Sequence, residues 1–258
     1  MQKIETIVSR QNNHIKLLGK LALKKYRHQF GKYIIENLAI IYDGLRGGYD
    51  FQSLFVTENF INKHKEKFEY LQNNSARAHF YLIDDKLNKH YSELDAPSGV
   101  TAVYNIKSSA LVPGKSVIYL NGVNDPGNLG AIMRTALAFD FANLVVDETC
   151  ADIYNAKTLS AAKDSIFKLN IIEDKDCVWL KENGDILPIY AADSRSGVSL
   201  DEFKPAEKFC LVLGGESHGV SDEIKKLAVE NVKIKMSGKI ESLNVSAAAA
   251  ILLYKLRA

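Results

Sequence analysis

Apolar positions in the first part of the chain switch between helical and strand spacing in short units. Ile15, Leu18, Leu21 and Ala22 recur at helical intervals with lysines between them, which predicts a basic amphipathic helix over 13–26. YIIE at 33–36 predicts a short strand, 37–45 a helix ending at Gly47-Gly48, FQSLFVT at 51–57 a strand, 59–71 a charged helix and AHFYLI at 78–83 a strand. A helix over 84–94 follows, and VTAVY lies as one more strand inside the turn-rich stretch 95–115. These elements make a small α/β unit, and the boundary is placed near residue 106, giving domains 1–105 and 106–258.

Beyond the boundary the alternation is more regular. Strands are predicted at SVIYL (116–120), NLVVD (143–147), 169–172, DILPIYAA (185–192), FCLVLGG (209–215) and VKIKM (232–236). Helices are predicted between and after them at 127–139, 155–163, 175–182, 221–229 and 243–257. Strand–helix alternation of this kind requires an α/β fold, a parallel sheet with helices on both faces.

Composition narrows the class. With 258 residues, 47% hydrophobic and 25% charged, the chain is ordinary globular material, which excludes disorder and low complexity. No apolar run approaches the ~20 residues that span a bilayer, and MQKIETIVSR carries no signal-peptide stretch, so no membrane association and a cytoplasmic location are expected. Cys150, Cys177 and Cys210 are odd in number and lack C-x-x-C spacing; they read as small core residues, and no metal site is expected.

The net charge of +2 hides an asymmetry: residues 1–32 carry eight Lys or Arg against Glu5 alone. Concentrated basicity suits a polyanion, because each cation set near a phosphate releases counterions. Lys24, Lys25 and Arg27, adjacent near the end of the first predicted helix, are the expected RNA contacts. The competing reading of the same charges is a solvated helix face.

In open parallel sheets ligands sit at the carboxyl ends of strands, and three loops there stand out. In NGVNDPGNLGAIMR (121–134), Asp125 can cap a helix that Pro126 opens, while Leu129, Ile132, Met133 and Ala136 form its buried stripe. Asn128 and Arg134 fall off that stripe, either as functional groups or as a cap support and a surface arginine. GGESHG (214–219) contains G-x-S-x-G between a strand and a helix, the context of a hydrolase nucleophile elbow. That chemistry needs a histidine after the serine from another loop, yet the histidines are His14, His28, His64, His79, His90 and His218, so a serine hydrolase is excluded. The loop also lacks the Lys-Ser of a P-loop, and no G-x-G-x-x-G follows a strand. In the third loop, KMSGKIESLNVSAAAA (235–250), Gly238 permits a turn and Ser242 and Asn244 precede a helix, as caps or as site groups.

Taken in order, N-D-P-G-N-L-G-A-I-M-R, L-V-L-G-G-E-S-H-G-V and I-K-M-S-G-K-I-E-S-L-N-V-S resemble the three motifs of the SpoU (TrmH) family of RNA ribose 2′-O-methyltransferases, in the SPOUT superfamily. The likeness covers residues 116–258, and SRQNNHIKLLGKLALKKYR…YIIEN is similar to the L30e-like substrate-binding domain that precedes it in many members. The resemblance implies a SPOUT domain with a deep trefoil knot, S-adenosylmethionine bound in the knot, and a homodimer formed through the C-terminal domain. It also implies an RNA substrate, ribosomal or transfer, with ribosomal RNA favoured. It carries active-centre positions to Asn128, Arg134, Glu216, Ser242 and Asn244, and cofactor contacts to Gly214, Ile234, Met236, Leu243 and Ala192.

Methyl transfer needs the 2′-oxygen held in line with the methyl group and its developing charge stabilised. Arg134, with a pKa above ~12, is a poor base, so orientation and stabilisation of the alkoxide are its expected work. Glu216 is expected to orient Arg134 or a neighbouring asparagine. Two departures stand out: Lys235 replaces the usual proline of I-P-M, and Asn37 stands where many members have glycine. The alternative function is an RNA-binding protein that kept the fold and lost catalysis.

Overall fold

A computed structural model of the chain describes residues 3–257, and these form two units. One comprises residues up to Lys107 together with Tyr154–Ser160; the other comprises Ser108–Ile153 and the chain from Ala161 onward.

The first unit runs β1 (Ile4–Thr6), α1 (Asn13–Leu21), α2 (Lys24–Phe30), β2 (Lys32–Ile35), α3 (Leu38–Arg46), β3 (Ser53–Thr57), α4 (Glu58–Lys63), α5 (Lys65–Asn74), β4 (His79–Ile83), α6 (Asp85–Tyr91) and β5 (Val100–Asn105). Its mixed sheet has the order β1-β4-β3-β5-β2, with β5 antiparallel to both neighbours and the remaining pairs parallel. Ile15, Leu18 and Leu21 of α1 pack with Phe55, Tyr81, Ile83 and Val103 of the sheet.

The helix expected over 13–26 is two helices. At Leu23 the backbone turns extended (φ −99°, ψ 130°), and Arg27 reaches back so that its Nη1 donates to the carbonyls of Leu21 and Ala22, each at 2.7 Å. A helix end leaves carbonyls without partners, and a guanidinium satisfies these two. Arg27 is therefore 5% exposed, which corrects its expected place as a surface phosphate contact. Lys24 and Lys25 are exposed. Gly31, at φ 61°, closes α2 in the left-handed conformation that glycine adopts without strain. Asn37 caps α3, its side chain accepting from the N–H groups of Ala39 and Ile40. The charged helix expected over 59–71 is also divided, at His64, into α4 and α5.

The chain continues through β6 (Val117–Asn121), α7 (Pro126–Ala138), β7 (Asn143–Asp147), α8 (Ala156–Ala162), α9 (Ser165–Lys168), β8 (Asn170–Asp174) and α10 (Val178–Asn183). Then follow β9 (Ile189–Ala192), β10 (Val198–Ser199), β11 (Cys210–Gly214), α11 (Asp222–Leu227), β12 (Glu230–Lys233) and α12 (Val245–Leu256). All seven strands of the second sheet are parallel, in the order β10-β12-β9-β11-β6-β7-β8. Strands buried on both faces read as unbroken apolar runs, and β7 is buried along its whole length. Leu129, Ile132, Met133 and Ala136 form the buried face of α7, as their spacing predicts, and α12 packs against α7 and β11.

Two strands end differently from expectation. β9 starts only at Ile189, because 185–188 form a turn, and β12 stops at Lys233, so Ile234 and Met236 lie in the loop beyond the sheet. Cys150 and Cys210 are buried and Cys177 is half-buried; all three are free thiols.

Candidate active site

The strand order places β6 and β11 side by side at the centre of the second sheet, with Gly214 opposite Asn121. Their loops leave the same sheet edge in backbone contact. A Cβ added at Gly215 would fall 2.0 Å from the Gly122 carbonyl oxygen, and one at Gly214 2.0 Å from the Gly219 carbonyl carbon. Only residues without side chains permit that approach.

The loop after β6 is pinned from the neighbouring strand. Asp147, at the end of β7, accepts from Asn121 Nδ2 (2.6 Å), the Gly122 N–H (3.2 Å), the Thr149 N–H (3.0 Å) and Thr149 Oγ1 (2.8 Å). Asn121 Oδ1 in turn accepts from the Ser221 N–H at 2.8 Å, tying this loop to the one after β11. The Cys150 thiol beneath is pushed up in pKa by burial and then by Asp147, so it stays protonated.

At the start of α7, Asp125 accepts the Asn128 backbone N–H at 2.8 Å. With its backbone used by the cap, Asn128 keeps its side chain for other partners. Asn128 Nδ2 donates to Glu216 Oε1 at 2.8 Å, and Asn244 Nδ2 donates to Asn128 Oδ1 at 3.1 Å and to the same Glu216 oxygen at 2.5 Å. Asn244 also caps α12, its Oδ1 accepting from the N–H groups of Ser246 and Ala247 and from Ser246 Oγ. Three loops thus meet in one carboxylate–amide triangle. Of the two partners weighed for Glu216, the structure realises the asparagines. Arg134 is exposed on α7; among the described residues it has no hydrogen bond or ion pair and lines neither cavity described below.

Two cavities adjoin Glu216. One, of about 280 Å³, is lined by Ala192, Gly214, Ile234, Met236 and Leu243, together with Glu216 and Ser242. All five residues expected to face a cofactor therefore share one space, whereas Lys235 is exposed and outside the lining. The second cavity holds Asn124, Asp125, Asn128 and Thr149 on one side. Gly215, Glu216, Ser217, His218 and Gly219 line both. Within the second unit His218, the neighbour of Ser217 in sequence, is the one histidine, the other five belonging to the first unit.

The first cavity fits S-adenosylmethionine in its chemistry. Leu213, Ile234, Met236 and Leu252 offer apolar walls for a flat ring, and its volume lies near the lower end of the ~300–1,000 Å³ of small-molecule sites. The carboxylates of Asp193, Glu216 and Glu241 outnumber the fixed cations Arg195 and Lys225, which suits a ligand of net positive charge. Asp193 carries the strongest perturbation there. Burial alone would raise its pKa, but Lys225 at 2.8 Å, the Arg195 N–H at 2.8 Å and Ser196 Oγ at 3.1 Å together lower it to about 2. Among the described residues no group of His, Cys, Asp or Glu is arranged to hold a metal ion.

Sequence reading missed Asn121, Asp147 and Asp193. A carboxylate ending an otherwise apolar strand, NLVVD, was the available sign of the second; Asp193 showed only as the acid opening D-S-R-S after a strand.

The sequence profile of the SpoU rRNA Methylase family matches residues 115–254, and that of the MRM3-like substrate binding domain matches residues 12–102. The chain is 27% identical over 255 residues to the 23S rRNA (guanosine(2553)-2′-O)-methyltransferase RlmP of Bacillus subtilis, covering 98% of this chain and all of that one. It is 34% identical over 144 residues to the 23S rRNA (adenosine(1067)-2′-O)-methyltransferase of Streptomyces laurentii, covering 54% of this chain and 53% of the other. Among solved structures, a putative RNA methyltransferase of the TrmH family from Porphyromonas gingivalis superposes with a TM-score of 0.82 at 27% identity, covering 96% of this chain and 98% of that one.

Proposed function

This chain belongs to the SpoU rRNA Methylase family, and on that premise we propose that it transfers a methyl group from S-adenosylmethionine to a ribose 2′-hydroxyl of ribosomal RNA. The observation that carries this reading is the Asn128–Glu216–Asn244 triangle, whose Glu216 lines both a cavity that fits the cofactor and the neighbouring cavity that Asn128 lines.

When bound, S-adenosylmethionine supplies an electrophilic methyl group. Gly214, Ala192, Ile234, Met236 and Leu243 would hold it. Glu216 fixes the two amides, and the amides fix the loops, so the ribose meets groups already in place. Ser242 adds a hydroxyl to the cofactor side of the same wall. Arg134 supplies a permanent positive charge on the helix that carries Asn128, for the substrate phosphate or the developing alkoxide.

The first domain serves as the RNA-capturing part, with Lys24 and Lys25 meeting phosphates. The chain acts in the cytoplasm; among the described residues no helix is long and apolar enough to cross a membrane. It works as a homodimer through the second domain. Ala247, Ile251 and Tyr254 support this, because they stand exposed along α12 at i, i+4 and i+7, a spacing that puts apolar groups on one face. Light scattering of the whole chain should give the mass of two copies, and a stable monomer overturns the dimer. The trefoil knot belongs to this proposal as well.

Two measurements test the function. Mapping ribose methylation in total RNA from cells with and without the protein should show loss of a ribosomal 2′-O-methyl group; a loss confined to transfer RNA overturns the substrate class. Calorimetry with RNA present should show S-adenosylmethionine binding, and its absence at millimolar cofactor returns the chain to the non-catalytic RNA-binding alternative.

A further inference from the structure

We infer that the α1–α2 corner is a stacking site for unpaired nucleotides, an inference that rests on the RNA-capture reading and names the kind of RNA captured. Tyr26 and Phe30, one turn apart on α2, stack with ring centroids 6.1 Å apart and 18° between planes. Lys20 Nζ lies 5.7 Å from the Tyr26 centroid and 5.8 Å from that of Phe30, and Lys25 Nζ lies 5.8 Å from Tyr26. Phe30 is 37% exposed and the neighbouring Leu23 57%. No acidic residue occurs between Glu5 and Glu36, while Arg10, Lys16, Lys20, Lys24 and Lys25 in that interval are exposed.

An apolar aromatic surface ringed by uncompensated ammonium groups fits a ligand with flat apolar faces and regularly spaced negative charges. Unpaired RNA has both. In an A-form duplex the base faces are covered by their neighbours and only backbone and groove edges are presented, so a duplex uses the lysines and leaves the rings idle. Base–aromatic stacking is also indifferent to sequence. A second aromatic pair with cations, Tyr42 and Tyr70 with Arg46 and Lys67, lacks this character because its helices also carry Asp43, Glu66 and Glu69.

The test compares an unstructured RNA oligonucleotide with a duplex of the same strand length, using the full chain. Tyr26→Ser with Phe30→Ser should weaken binding of the unstructured RNA about tenfold or more, leave duplex affinity within about twofold and leave the salt slope unchanged, since no charge is removed. Tyr26→Phe should retain affinity, because the ring face remains. If the double variant loses its fold by circular dichroism, Phe30→Ser alone gives the same comparison at an exposed position, with a loss of at least about threefold expected on unstructured RNA only. Lys24→Ala with Lys25→Ala should flatten the salt dependence on both RNAs. If that lysine variant changes neither slope, the capture reading falls and this inference with it. If it flattens both slopes but the aromatic variant weakens both RNAs equally, or neither, the stacking site alone is overturned. A change in the protein's mass by light scattering on aromatic substitution identifies the surface as a protein contact and overturns it too.

Discussion

In the second unit the polar residues that matter converge from three loops at one edge of a parallel sheet, whereas in the first unit they stand on helices outside a mixed sheet. The convergent site is concave, and backbone contact between Gly122 and Gly215 sets its dimensions. The helical patch takes its character from charge and exposure. A concave site of interlocked groups responds to substitution through geometry and chemistry. An exposed patch of separate cations responds through affinity and salt. Lysines show the contrast directly: Lys225 is held 2.8 Å from Asp193 and Lys181 2.9 Å from Glu223, while those of α1 and α2 stand on a stretch without acids.

The largest effect is expected at Arg134. Arg134→Ala and Arg134→Lys should each lower methyl transfer on the order of 100-fold or more, because a lysine cannot reproduce the planar fork. Cofactor affinity should stay within a few fold, as Arg134 lies outside the cofactor cavity. Near-normal turnover by Arg134→Ala would show that the activating group is elsewhere.

Arg27→Ala should behave as a lesion of structure although it removes a cation from the basic helix. Uncovering the Leu21 and Ala22 carbonyls costs about 2 kcal/mol in denaturant unfolding, and the salt slope of RNA binding should not change. A flattened slope with unchanged stability would put Arg27 back among the phosphate contacts.

Lys24→Ala with Lys25→Ala should do the reverse, with stability unaltered and the log–log salt slope shallower by up to ~0.7–0.9 per lost phosphate contact. An unchanged slope would make these lysines an ordinary solvated face.

The smallest effect concerns acid. The folded pKa of Asp193, about 2, lies below its ordinary value, so its stabilising share is fully present above about pH 4 and is lost as pH falls toward 2. Because Lys225 is partly in solvent, that share is about 1 kcal/mol. Asp193→Asn should remove it, and an acid unfolding curve of the variant that matches the wild type would show that the pair contributes nothing.

Local patterns reported much of this molecule. The apolar runs of β6, β7 and β11 and the 3–4 spacing on α7 were legible, because burial imposes them residue by residue. Cap residues were legible too, and Asn244 caps α12 with its oxygen while its Nδ2 joins Asn128 and Glu216, since an amide has two ends. Arg27 was misread because helical periodicity continues past Ala22 and nothing in K-K-Y-R says which cation will fold back to close the previous helix. The strand order was not legible, nor was the Asn121–Asp147–Ser221 link, which joins residues 26 and 100 positions apart. Such contacts depend on how the sheet is wound rather than on neighbouring residues. The motif order named Asn128, Glu216 and Asn244, which the structure joins in one hydrogen-bonded cluster, whereas Arg134, on the same helix as Asn128, takes no part in it.

The segment Gly215–Gly219 has a further consequence for anyone redesigning the protein. It lines both cavities. A change of size at Glu216, Ser217 or His218 therefore bears on both cavities at once. Changes meant for a single cavity belong on residues that line it alone, at Ile234, Met236 or Leu252 for the first and at Asn124 or Thr149 for the second.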